Sequence, residues 1–93
     1  MRESEIERKI CAEAKRLGLL PWKLTVPGAA GVPDRMFLDG AGGVAFLELK
    51  APGRMPSPLQ LKRIRDLCNR GFLADWVDNV EDGVDFLRSW CES

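Results

Sequence analysis

The stretch GVPDRMFLDGAGGVAFLELKAPGR, residues 31–54, decides how this chain is read. Arg35 to Leu38 forms a short strand and Val44 to Lys50 a longer one. Asp39-Gly40-Ala41-Gly42-Gly43 is the turn of a hairpin between them, because glycines supply the positive φ that such turns need. The longer strand is apolar on both faces (Val44 and Phe46; Ala45, Leu47 and Leu49), as expected of a central strand covered on both sides. It nevertheless closes on Glu48 and Lys50, whose side chains leave the same face because they are two residues apart. Burying two ionised groups is unfavourable unless they are paired or bind an ion. Asp34 opens the neighbouring strand, and a turn over residues 39–43 sets it across from Glu48 or within one register step.

Two carboxylates held together repel unless one takes a proton or a cation sits between them. A hard divalent ion such as Mg²⁺ suits an all-oxygen site and takes one or two protein carboxylates with water. Such an ion polarises phosphoryl oxygens and acidifies water. Lys50 beside it could position that water or stabilise developing negative charge. The plainer alternative for any Glu-x-Lys is a surface ion pair at a frayed strand end. The apolar run before Glu48, and Asp34 at hairpin distance, weigh against it.

Working outward, Ser4-Glu5-Ile6-Glu7 reads as a capping box, and Ile6, Ile10, Ala14 and Leu17 recur at helical spacing up to Gly18. A first helix is expected over residues 4–17. Leu19 to Val26 reads as a strand that Pro21 confines to an edge, and Pro27 to Pro33 as a loop. After the hairpin, Ser57-Pro58-Leu59-Gln60 is a second capping box with proline at N1. It opens a helix that runs to about Asn69. Phe72 to Val77 is a fourth strand. Asn79 starts a last helix with Val80, Val84, Leu87 and Cys91 on one side, weakened by Gly83. The order α-β-β-β-α-β-α gives an α/β fold with a mixed central sheet flanked by helices. At 93 residues the chain is expected to form a single domain, residues 1–93, with a modest core that a partner subunit would help.

Composition narrows the chemistry. There is no histidine and no tyrosine, which excludes Ser–His and Cys–His relays, histidine metal sites and a tyrosine nucleophile. Carboxylates, lysines, amides and hard metal ions remain. Three cysteines with no CxxC pair indicate neither a disulfide framework nor a zinc site, so buried or idle thiols are expected. No GxxxxGK[ST] phosphate loop is present. No apolar run approaches a membrane span, and the charged start MRESEIERK is unlike a secretion signal; an intracellular, cytoplasmic protein is expected. Net charge is zero, but Lys50 to Arg70 carries six basic residues against Asp66, and Asp75 to Ser93 six acidic residues against Arg88. A basic middle and an acidic tail suit a polyanion on one face; ordinary solvated helix faces would look the same.

VPD at 32–34 and ELK at 48–50 resemble the signature of the PD-(D/E)xK nuclease superfamily. The fuller string GVPDRMFL, a glycine-rich turn, VAFLELKAPG and then SPLQ is similar to the virus-type replication-repair nuclease domain, VRR-NUC. Small stand-alone members, often phage-encoded in a bacterial host, have this length and order. The resemblance implies a restriction-endonuclease-like α-β-β-β-α-β core followed by a C-terminal helix. It also implies a metal-dependent endonuclease that hydrolyses DNA phosphodiester bonds. Stand-alone members are similar in build to Holliday-junction resolvases and form dimers, which implies a homodimer acting on branched DNA with Mg²⁺ or Mn²⁺.

Carried over by position, Asp34 and Glu48 match the metal-binding acids, Lys50 the catalytic lysine, and the Leu49 carbonyl a further ligand. Gln60 matches the glutamine that supports the site from the following helix, although as N3 of its capping box its amide is also expected to reach back to Ser57. The resemblance places one more glutamate on the first helix. Glu3 and Glu7 both fit, and spacing to the glycine after the helix favours Glu7. Lys23, Arg35, Arg54, Lys62 and Arg63 flank this region and could hold phosphates, the source of most sequence-independent affinity for DNA; singly, each also reads as a solvated charge. Trp22, Trp76 and Trp90 are expected in the core or a dimer interface, with base stacking the lesser alternative. A non-catalytic DNA-binding module that keeps the nuclease fold is the competing expectation.

Overall fold

A computed structural model describes residues Met1–Ser93. The elements run α1 (Glu3–Arg16), β1 (Leu20–Lys23), β2 (Arg35–Leu38), β3 (Val44–Leu49), α2 (Pro58–Asn69), β4 (Leu73–Val77) and α3 (Val80–Glu92). They form a four-stranded sheet in the order β1-β2-β3-β4. The β1–β2 and β2–β3 pairs are antiparallel, and β3 pairs with β4 in parallel across the α2 crossover. The α-β-β-β-α-β order, the mixed sheet and the C-terminal helix agree with the sequence-based reading.

Period-two alternation on β3 divides the core. Leu47 and Leu49 face α1 and α3 and join Ile6, Ile10, Ala14, Phe37, Val77 and Leu87 in the larger cluster. Phe46 faces the other way and packs with Ile64 of α2 and Ala74 of β4. The hairpin turn closes as expected with one refinement. Only Gly42 of the turn has positive φ, and the Asp39 carboxylate does the rest by accepting from the N–H groups of Ala41 and Gly43 at 2.8 and 2.7 Å.

Several local expectations are corrected. The Ser4–Glu7 capping box does not form: α1 starts at Glu3 behind Arg2, with no side-chain cap. Glu7 is drawn instead to two cations across the sheet edge. The first strand is shorter than Leu19–Val26 and stops at Lys23. Gly83 does more than weaken its helix. It is buried, and a Cβ there would overlap the Ile10 side chain of α1. It therefore sets how closely α1 and α3 approach. The buried positions of α3 are Gly83 and Leu87, while Cys91 is exposed. Cys68 is exposed and Cys11 half-buried, so no thiol is fully buried. Trp22 is 55% exposed on the edge strand. No helix is long and apolar enough to cross a membrane.

Candidate active site

The hairpin register decides the site. Arg35 pairs with Leu47, so one step further Asp34 lies opposite Glu48, the nearer of the two expected placements. Asp34 Oδ2 accepts from the Leu49 N–H at 3.4 Å, which turns this carboxylate toward the end of β3. Gly31 holds the preceding loop in place. Its φ is +82°, and a Cβ would come within 2.8 Å of the Leu59 side chain at the start of α2. Only glycine lets the loop leading to Asp34 run this close to the α2 N-terminus.

Glu48 is 2% exposed and is the charged residue among the buried set. Its Oε2 accepts from Gln60 Nε2 at 3.1 Å and lies 3.3 Å from Lys50 Nζ. Its Oε1 is buried and has no hydrogen-bond partner. Burial, and then the Asp34 charge, push the Glu48 carboxyl up to about 7, against the opposing pull of Lys50. A buried oxygen without a donor beside a second carboxylate is a costly arrangement, and a proton or a cation relieves it.

Gln60 bonds to the cap and to Glu48 at the same time. Its Oε1 accepts from Ser57 N–H at 2.8 Å while Ser57 Oγ accepts from Gln60 N–H at 3.1 Å, completing the capping box. Its Nε2 is left to donate to Glu48. The cap thus fixes the amide orientation that the site uses.

Glu7 is placed differently. It sits on α1, against the opposite face of the sheet, with Oε2 at 3.1 Å from Arg35 Nε and 3.5 Å from Lys23 Nζ. Burial alone would raise its carboxyl, but the Arg35 hydrogen bond and charge, helped by Lys23, hold it below the ordinary value. It is not brought together with Asp34 and Glu48, and no three acids, cysteines or histidines converge anywhere. The other expected cations are dispersed. Arg54 is exposed in the loop after β3, Lys62 pairs with Asp66 at 3.1 Å, and Arg63 Nε donates to the Ala30 carbonyl at 3.0 Å. Two cations outside the sequence-based set, Arg8 and Lys15, line a cleft with Arg35 along α1. Helical spacing from Ser4 through Arg8 and Cys11 to Lys15 is the sequence signal that marks this stripe.

Comparison with known proteins places this geometry. No family model matches the chain. A protein named "Putative nuclease p44", from Acyrthosiphon pisum secondary endosymbiont phage 1, is 40% identical over 62 residues, which are 67% of each chain. A solved structure described as a VRR_NUC domain superposes with a TM-score of 0.84 at 27% identity, covering 94% of both chains. The chain belongs to the VRR-NUC nuclease family. A second structure, of a VRR_NUC domain protein, shares the fold with a TM-score of 0.77 at 19% identity, over 99% of this chain and 89% of the other. This VRR-NUC nuclease therefore carries its VPD segment just ahead of β2 and its ELK segment at the end of β3, so that Asp34, one step beyond the Arg35–Leu47 pair, lies opposite Glu48.

Proposed function

We propose that this nuclease is a divalent-metal-dependent endonuclease acting on DNA, on branched forms such as four-way junctions, as a homodimer. The observation that carries the reading is the buried, unpartnered Glu48 Oε1 beside Asp34, with Lys50 and Gln60 engaged on the other Glu48 oxygen. An all-oxygen donor set with no imidazole or thiolate fits Mg²⁺ or Mn²⁺. Asp34, Glu48 and the Leu49 carbonyl would hold the ion. When bound, it supplies charge stabilisation at the phosphoryl group and acidifies water.

The chain's own residues do the rest. Gln60 donates to Glu48 and leaves the other carboxylate oxygen free. Lys50, fixed by the hydrogen bond of its backbone N–H to the Val77 carbonyl at 2.9 Å, directs its ammonium at the negative charge that grows on the phosphate or at the attacking water. Glu7 enters the ligand set only by releasing Arg35 and Lys23; paired as it is, it holds those two cations on the opposite face of the sheet. The dimer follows from the small core and from the match between a two-fold enzyme and a two-fold junction.

The test is incubation of pure protein with linear, flapped and four-way DNA in Mg²⁺, Mn²⁺ or EDTA. Metal-dependent cleavage, abolished in Asp34→Asn and Lys50→Ala, is expected. Absence of cleavage on every substrate would favour a non-catalytic binding module instead. Light scattering at micromolar concentration checks the dimer, and an active monomer would refute it.

A further inference from the structure

We propose that the cleft along α1 is a second DNA-binding surface, which takes the phosphodiester backbone of a duplex arm leading away from the acid pair; this rests on the DNA-nuclease reading above. The cleft encloses about 400 Å³ and is lined by Ser4, Glu7, Arg8, Cys11, Lys15 and Arg35, with Ala12 at its wall. Lys23, outside the lining, pairs with Glu7 at 3.5 Å. Three cations and one carboxylate thus line the cleft, and that carboxylate is already engaged by Arg35 and by Lys23 beside it.

Length fits as well as charge. Ser4 to Lys15 is eleven helical steps, about 16 Å at 1.5 Å per step. One DNA strand presents a charge every ~3.4 Å of duplex axis, so the cleft runs past several phosphates. Its position is set by the sheet. Lys23 and Arg35 are register partners, and Arg35 directly follows Asp34. The cleft therefore starts at the sheet end that carries the carboxylate pair, but lies on the opposite face. A duplex touching both would cross that end of the sheet. Arg35 supplies the link, since its side chain is only 17% exposed and is held in place by Glu7.

Cys11 gives the cleft its own reporter. It is half-buried there, and burial raises its thiol with help from the Glu7 charge, while Arg35, Lys15 and Lys23 oppose the shift. The experiment uses the full chain carrying Cys68→Ser and Cys91→Ser, which removes the two exposed thiols. Maleimide alkylation of Cys11 is timed in EDTA with and without a saturating 30-base-pair duplex. The expected result is at least a ~10-fold slowing by DNA. In parallel, Arg8→Gln with Lys15→Gln should lower the slope of log affinity against log salt by about 1.8, since each phosphate that a cation neutralises contributes about 0.9 to that slope. Duplex bound with no change in the Cys11 rate, or an unchanged salt slope, would overturn the cleft while leaving the nuclease reading standing. Failure of the wild-type protein to bind any DNA at low salt would instead remove the reading beneath it. Cys11 protection that rises with protein concentration in the absence of DNA would make the cleft an interface between copies and refute the proposal.

Discussion

Replacing Glu48 by glutamine should stabilise the metal-free protein while abolishing cleavage. Glu48 is almost wholly buried, and its carboxyl moves from 4.5 to about 7. At about 1.4 kcal/mol per pH unit, keeping it ionised costs the fold about 3 kcal/mol above pH 7. The sign is fixed by proton binding. Between pH 4.5 and 7 the folded state holds a proton that the unfolded state has released, so stability falls as pH rises through this window and levels off above it. Glutamine imitates the protonated carboxyl. Its carbonyl can still accept from Gln60 and Lys50, and its NH₂ replaces the unpartnered Oε1. For a domain of this size a gain of about 2–3 kcal/mol raises the melting midpoint by about 10 °C or more. The assay is thermal melting in EDTA from pH 5 to 9 at fixed protein concentration. Wild type should lose stability towards pH 7 and Glu48→Gln should not. Millimolar Mg²⁺ should then close most of the gap at pH 8, because a ligand at about 100 times its dissociation constant stabilises only the protein that binds it, by about 2.7 kcal/mol. A Glu48→Gln protein no more stable than wild type at pH 8 in EDTA, or a flat wild-type profile between pH 5 and 8, would refute the reasoning.

Three further outcomes are expected. Gly83→Ala should destabilise by about 1–3 kcal/mol, because the new methyl overlaps Ile10; adding Ile10→Val should recover part of this in urea melts, and no recovery would place the strain elsewhere. Gln60→Ala should lower stability by about 1 kcal/mol through the cap and also lower kcat, whereas Ser57→Ala should produce mainly the stability loss; equal kinetic effects would deny Gln60 its hydrogen bond to Glu48 a role in the reaction. Glu7→Gln should tighten DNA binding in EDTA by releasing Arg35 and Lys23, with little change in metal affinity by calorimetry. A loss of metal affinity as large as that in Asp34→Asn would put Glu7 among the ligands.

Much of the fold was legible because it rests on short-range rules. The alternation in Val44–Leu49, the glycine turn and the Ser57 cap are properties of neighbouring residues, and they placed β2, β3 and α2 nearly to the residue. Capping was less secure at α1. The Ser4–Glu7 pattern was present in the sequence, but a carboxylate three residues into a helix has other options when two cations lie within reach across space. Gly83 shows the same limit. Its helix propensity is a local quantity, whereas its value in the fold lies in the room it leaves for Ile10, 73 positions earlier in the chain.

The sequence by itself determined that Asp34 and Glu48 would meet, because a hairpin of fixed turn length leaves their register little freedom, and that Lys50 would share the Glu48 face. Tertiary structure decided the rest. It let one Gln60 amide serve cap and site together, left one Glu48 oxygen buried without a partner, and set Glu7 on the far side of the sheet with Arg35 and Lys23. These outcomes depend on how helices dock on the two faces of a sheet. That docking is fixed by the summed packing of distant residues, and no local spacing encodes it.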